Sequence, residues 1–193
     1  RASVEGLSGS DLNKYWESGF ISPIDVFTSS ETQRFRQEFE SLEHHFGGQD
    51  RARSFTTDIH LIQRWAWDVA TNPRILACVS GALGDNVLLW STNWFIKEPG
   101  DRKIVSFHQD ASYWGLEPHE VITAWIALSD APTESGPMVF IPGSHKGDLI
   151  DHEDTYAPNN LLTRGQVVKK DLSDKELIEA PLKAGQMSLH HVR

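Results

Sequence analysis

Apolar positions divide the chain into a helical half and a strand-like half. Up to about residue 85 they recur at helical spacing. Ser10-Asp11 predicts the cap of a short helix that carries Tyr15, Trp16 and Phe20 and ends near Gly19. Ser30-x-x-Gln33 has capping-box spacing and opens a run with Phe35, Phe39, Leu42 and Phe46 along one face, stopped by Gly47-Gly48. A third helix is predicted over Ile59 to Thr71. Asn72-Pro73 interrupts it, and Ile75, Leu76, Val79 and Leu83 mark a fourth that ends at Gly84.

From Asn86 the pattern changes to short apolar runs bounded by turn residues. Val87 to Ile96 reads as a strand before the turn Glu98-Pro99-Gly100-Asp101, and Ile104 to His108 as another. Val121 to Leu128 is almost continuously apolar, as in a strand buried on both faces. Met138 to Ile141 closes at Pro142-Gly143. A polar, turn-rich loop is predicted from Ser144 to about Arg164, then strands over Ile178 to Leu182 and Met187 to Val192. Helices followed by many short strands predict a mainly β barrel or jelly roll with a helical annex. The expected organisation is one domain over 1–193, with 1–85 mostly helical and 86–193 forming the β core.

Composition narrows the partners. The 193 residues hold 39% apolar and 23% charged positions, ordinary for a globular domain. No apolar run reaches the roughly 18 residues of a membrane span, so no membrane partner is expected. The formal charge of −9, with no basic stripe, argues against nucleic acid. A lone cysteine, Cys78, excludes a disulfide framework and thiolate clusters within the chain, and reads as a small buried hydrophobe; a reducing, cytoplasmic setting is expected. The first residues show neither a signal core nor a Met start, so the chain reads as trimmed. Composition leaves the oligomeric state open.

Histidine is in surplus, with nine residues, and the informative segment is Ser106-Phe107-His108-Gln109-Asp110-Ala111-Ser112-Tyr113-Trp114. On an extended strand, residues two apart share a face, so His108 and Asp110 offer an imidazole nitrogen and a carboxylate oxygen to one ion. With a distant histidine they make the facial triad of non-haem iron(II) oxygenases, which leaves positions open for other ligands. Alone, His-x-Asp is far more often a chance pair than a metal site. His44, His45, His119 and His152 have no ligand spacing and read as surface groups; His145, after Pro142-Gly143-Ser144, reads as a structural turn residue.

The surrounding segments decide between these readings. Lys97-Glu98-Pro99-Gly100 followed by His108-Gln109-Asp110 resembles a stretch of the phytanoyl-CoA dioxygenase family. Thr123-Ala124-Trp125-Ile126-Ala127-Leu128 is similar to that family's next core strand. Gly136 to His145, with Pro142-Gly143-Ser144-His145, is similar to its Pro-Gly-Ser-His segment. Asn160 to Gln166 and Gly185 to His191 also resemble bacterial members.

The resemblance implies a double-stranded β-helix of the jelly-roll or cupin kind behind N-terminal helices. It implies an iron(II)- and 2-oxoglutarate-dependent dioxygenase that uses O2 to hydroxylate a small organic substrate, with release of succinate and CO2. By the same resemblance His108 and Asp110 are iron ligands, and Trp125 and Asn93 line the 2-oxoglutarate site. The family's cosubstrate lysine has no counterpart here, and His60 or Arg53 stands as its substitute. Trp114 falls where relatives place a substrate-facing aromatic; packing of the barrel rim by Tyr113 and Trp114 is the equal alternative. A carboxylate at Asp110 implies hydroxylation, since related halogenases leave that position to chloride.

The third iron ligand and the arginine that pairs with the far carboxylate of 2-oxoglutarate are expected beyond Arg193, with the last barrel strand. His191 matches a family position that is often histidine and does not bind iron. The alternative class is a non-oxidative cupin-like metal-dependent isomerase or binding protein.

Overall fold

Three of the helices begin and end on identifiable chemistry. The computed structural model describes residues 5–48 and 57–193; Arg53 lies outside the described residues. Helix α1 (Gly9–Ser18) is capped by the Ser8 side chain and stops at Gly19 in the left-handed region, so Phe20 opens a strand and not a last helical turn. Helix α2 (Ser29–Phe46) carries a reciprocal capping box, but on Thr28 and Glu31; the Ser30-Gln33 pair predicted for that role lies inside the helix. The Glu31 carboxylate also takes a hydrogen bond from Arg74 at 2.7 Å, which joins α2 to a later helix. That bond and the Thr28 N–H hold its carboxyl down at about 2.

The stretch predicted as one helix over Ile59 to Thr71 is a 3-10 turn at Ile59–Leu61 followed by α3 (Arg64–Ala70). Asn72 caps α4 (Pro73–Leu83), with proline where the missing N–H costs nothing. Cys78 is buried on this helix, and burial pushes its thiol up.

The principal sheet has three antiparallel strands in the order β1 (Phe20–Asp25), β7 (Gln186–His191) and β2 (Ile122–Ile126). The strand of Phe20 to Asp25 is absent from the sequence reading; Pro23 breaks its apolar alternation, and the register slips between Ile21 and Ile24. Two smaller pairs complete the β structure: β3 (Met138–Phe140) with β6 (Ile178–Ala180), and β4 (His152–Asp154) with β5 (Gln166–Val168). Of the last pair, β4 lies inside the expected long loop and β5 just beyond its end. Two predicted strands are not regular strands. Residues 87–96 run without ladder pairing, and 104–108 contribute only a single bridge, Ile104 to Asn160.

Period-two alternation gives the main sheet two distinct faces. Ile21, Leu189 and Ala124 form one row across the three strands and, with Met187 and Ile126, pack into the apolar cluster of Tyr15, Phe35, Phe39 and Ile59. Phe20, His190 and Thr123 form the neighbouring row and project to the opposite face, followed by Ser188 beside Trp125. One face therefore buries the helices, and the other carries polar side chains.

Gly185 ties this sheet together. Its carbonyl accepts from the N–H groups of Val26 and Phe27, and its own N–H donates to Ala127. Its φ is +93°, and a Cβ there would lie 2.7 Å from both the Phe27 carbonyl oxygen and Thr32 Oγ1. Gly185→Ala should therefore cost about 2–4 kcal/mol, from the left-handed backbone together with the clash, read as a lower urea midpoint with an unchanged slope.

Candidate metal centre

His108 and Asp110 converge, by a route other than the predicted strand. The chain leaves 104–108 and turns into a single helical turn, α5 (Ala111–Trp114), with Asp110 as its N-cap in helical conformation. The turn brings His108 Nε2 to 3.1 Å from Asp110 Oδ1. His108 Nδ1 lies 2.7 Å from the Ser106 carbonyl. A carbonyl can only accept, so Nδ1 carries a proton; Nε2 donates to the ionised Asp110 carboxylate when it is protonated and offers its lone pair only once that proton leaves. The far carboxylate oxygen, Oδ2, accepts from Thr123 Oγ1 at 3.0 Å and faces His190 Nε2 at 3.4 Å.

Burial opposes charge on both groups, yet their partners prevail. Burial raises the Asp110 carboxyl, but the His108 and His190 rings outweigh it and hold the group well below the ordinary carboxylate range. Burial lowers the His108 imidazole, and the adjacent Asp110 carboxylate raises it by more.

The segment is fixed from three sides. His152 Nε2 accepts the Gln109 N–H at 3.0 Å, and its Nδ1–H donates to the Ile150 carbonyl at 2.6 Å. The buried Gln109 amide donates to the Arg193 carbonyl at 2.9 Å and accepts from the Ile150 N–H at 2.8 Å. Ser106 Oγ donates to the Gln166 carbonyl and accepts from Asn160 Nδ2. His152 is thus no surface group; its ring supports the backbone between the two candidate ligands. No sequence spacing signals that role, because the contact joins residues 43 apart.

The other predicted site residues divide. Trp125 shares its sheet face with Thr123, which holds Asp110, and so stands on the site side. His60 is buried, with Nδ1 2.8 Å from Thr92 Oγ1 and its ring stacked near Trp67. Asn93 is exposed, and its amide reaches Ser91. Among the described residues, neither His60 nor Asn93 makes a hydrogen bond or ring contact with His108, Asp110 or Trp125. Trp114 is partly buried, while its neighbour Tyr113 is the ring edge-on to His108 at 6.2 Å, with the Arg164 guanidinium 5.1 Å over its other side. An open apolar cleft of about 600 Å³ runs along Ile104, Val105 and Phe107 against Val167 and Val168; its lining contains neither His108 nor Asp110. The chemistry therefore rests on side-chain geometry rather than on that concavity.

The donor set suits a divalent first-row metal: one imidazole whose Nδ1–H is fixed by Ser106 and whose Nε2 proton a metal can replace, and one ionised carboxylate. Among the described residues no three His, Cys, Asp or Glu side chains gather as a metal site. His190 sits on the oxygen turned away from His108.

At the end of β7, His145 and His191 lie with rings 5.2 Å apart. His145 Nε2–H donates to the Trp16 carbonyl, in keeping with its predicted structural role. Burial first, then repulsion from His145, Arg193 and His119 should its ring gain a charge, push His191 down to about 4. Its folded value thus lies below the unfolded one of about 6.5, and the unfolded chain binds more protons between the two. Stability from this ring is present above about pH 6.5 and lost as the pH falls toward 4. His108, shifted the opposite way, loses its contribution as pH rises, so the His191 effect is isolated by comparison with His191→Gln. Between pH 7 and 5 the wild type should lose about 1 kcal/mol more than that variant in urea unfolding, with the partly exposed ring already discounted for solvent.

Comparison with known proteins places this arrangement. The non-heme monooxygenase ThoJ superposes with a TM-score of 0.80 at 29% identity, over 94% of this chain and 68% of that one. The 2-oxoglutarate-dependent carbocyclase SnoK from nogalamycin biosynthesis superposes at 0.77 with 23% identity, over 100% of this chain and 77% of that one. The fold is therefore the cupin-like one of the 2-oxoglutarate oxygenases. The profile of the phytanoyl-CoA dioxygenase family matches residues 15–193, and the chain belongs to that family.

Among curated relatives, human peroxisomal phytanoyl-CoA dioxygenase is 30% identical over 161 residues, 72% of this chain and 48% of its own. The ectoine dioxygenase of Halomonas elongata is 24% identical over 198 residues, 91% of this chain and 59% of its own. The chain spans between about a third and three fifths of the curated relatives' length. Among the described residues no helix is long and apolar enough to cross a membrane.

Proposed function

We propose that this chain forms the metal-binding part of an iron(II)- and 2-oxoglutarate-dependent dioxygenase that hydroxylates a small organic substrate, with its strands belonging to a double-stranded β-helix. The observation that carries the reading is the 3.1 Å approach of His108 Nε2 to Asp110 Oδ1, with Nδ1 engaged by the Ser106 carbonyl so that Nε2 is the nitrogen turned to the site. Family membership supports it independently.

Iron(II), when bound with 2-oxoglutarate and O2, supplies the oxidising chemistry, in which 2-oxoglutarate is decarboxylated to succinate and CO2 while the substrate takes up one oxygen atom. The chain's own residues prepare the site. His108 and Asp110 offer the nitrogen and the anionic oxygen, and the Ser106, His152 and Gln109 contacts fix the backbone that carries them. Tyr113 and Trp125 supply apolar walls that limit water.

The test is direct. The full-length protein, given Fe(II), 2-oxoglutarate and air, should form succinate, and Asp110→Ala should not. Absence of succinate from the wild type under those conditions, with metal demonstrably bound, would favour a non-oxidative role. Trp125→Ala should weaken 2-oxoglutarate binding to the metal-loaded protein more than it lowers stability. A variant that instead loses the roughly 3–5 kcal/mol of a large core truncation, yet keeps its cosubstrate affinity, would make Trp125 a packing residue only.

A further inference from the structure

We infer that Thr123 and His190 are positioning residues that aim the Asp110 carboxylate, holding Oδ2 so that Oδ1 is the oxygen presented beside His108. The inference rests on the reading of His108 and Asp110 as the metal pair.

Asp110 stands at the N-cap of a single helical turn that follows a loop, so its own element gives it little rigidity. A free carboxylate rotates about its Cβ–Cγ bond and exchanges its two oxygens. Here the two differ. Oδ1 has the His108 ring, while Oδ2 has a hydroxyl at 3.0 Å and a second imidazole at 3.4 Å.

The two Oδ2 partners come from paired positions on adjacent strands, so the sheet sets their spacing. Thr123 of β2 and His190 of β7 are direct neighbours in the register, on the same face. Phe140 of β3 packs its ring 5.3 Å from His190 and stacks on Phe20 at 4.4 Å, which closes the imidazole in from the other side. His190 is 9% exposed, and its Nδ1 is buried with no hydrogen-bond partner. A buried N–H without an acceptor costs more than an unused lone pair, so the proton belongs on Nε2, where it faces the carboxylate. The Thr123 hydroxyl likewise donates. Two donors on one oxygen fix the plane of the carboxylate and spare it an ordering cost when the metal arrives.

The experiment is Co(II) binding to the metal-free full-length protein by calorimetry, with melting temperature recorded for each variant. Thr123→Val keeps the shape and removes the hydroxyl; His190→Leu removes the ring donor. Each should weaken Co(II) binding by about tenfold or more. Thr123→Ser and His190→Gln restore a donor near the same place and should bind close to wild type. If Val and Leu variants that melt like wild type also bind Co(II) like wild type, while Asp110→Asn does not bind, the positioning role is wrong and the metal pair stands. If the Ser and Gln variants lose as much as Val and Leu, packing explains the effect and the inference fails. If wild type binds no more tightly than Asp110→Asn, the metal-pair reading itself falls, and this inference with it. Should His190→Leu fail to fold, the Thr123 pair decides alone.

Discussion

Asp110→Ala should leave a protein that binds divalent metal at least about 100-fold more weakly and forms no succinate, because the change removes the anionic donor of the pair. The geometry makes this effect larger than the loss of one ligand. Without the carboxylate, Thr123 Oγ1 and His190 Nε2 both face an empty volume, and His108 loses the group that orients its Nε2. His108 would still donate Nδ1–H to Ser106, so the ring should stay in place and residual binding should be that of the remaining imidazole donors without an anionic one. Calorimetry with Co(II) and a coupled succinate assay check both halves. Metal affinity within threefold of wild type would remove Asp110 from the site. Retained affinity with lost turnover would move Asp110 from holding metal to acting on substrate.

The contrast between what the sequence disclosed and what it hid follows from the range of the forces involved. Helix ends were legible where one residue sets the backbone, as at Gly19, Gly47 and Asn72-Pro73. The same local logic misplaced the α2 cap by two residues, since Ser30-Gln33 and Thr28-Glu31 both satisfy the spacing, and only the tie from Glu31 to Arg74 on α4 separates them. Apolar runs identified β2, β3, β6 and β7. They overstated 87–96, where Leu88 is 96% exposed and Trp90 54%, because apolar content records a tendency to be covered and cannot name the partner.

The approach of His108 to Asp110 was legible for a partly mistaken reason. His108 and Asp110 were expected to share a face of a strand, and they meet because the chain turns into α5 between them. Spacing of two residues brings side chains together in either geometry, which is why the motif survived the wrong local structure. The supporting groups could not be read at all. His152, His190 and Thr123 reach the pair across 43, 80 and 13 residues, respectively. Only the strand pairing and the returning loop bring them near, and no local pattern encodes such contacts. His190 had a weak signal, as a histidine on the site-facing alternation of β7, but its neighbour His191 carries the same residue type on the other parity and points elsewhere.

Gln109 is the residue between the two candidate ligands, and Gln109→Leu should be the most damaging change near the site that touches no ligand atom. Its amide is buried and satisfies two backbone groups from separate segments, the Ile150 N–H and the Arg193 carbonyl. Leucine fills a similar volume and can satisfy neither. Each orphaned buried group costs about 1–3 kcal/mol, so the variant should lose about 2–5 kcal/mol in urea unfolding. The loss should not stop at stability. His152 reaches the Gln109 N–H from β4, and Ile150, two residues before it, accepts from the His152 ring, so release of Ile150 loosens the ring that supports this backbone. Co(II) affinity should therefore fall together with stability, by about tenfold, as for the loss of other groups that support ligands. His152→Ala separates the two consequences. It removes the acceptor for the Gln109 N–H and leaves the Gln109 amide contacts intact, so it should reproduce most of the affinity loss at a smaller cost in stability. Gln109→Leu protein that melts far lower yet binds Co(II) as tightly as wild type in its folded fraction would mean that the ligand turn holds its shape without this clamp. The 3.1 Å pairing of His108 with Asp110 would then be set by α5 and Thr123 alone.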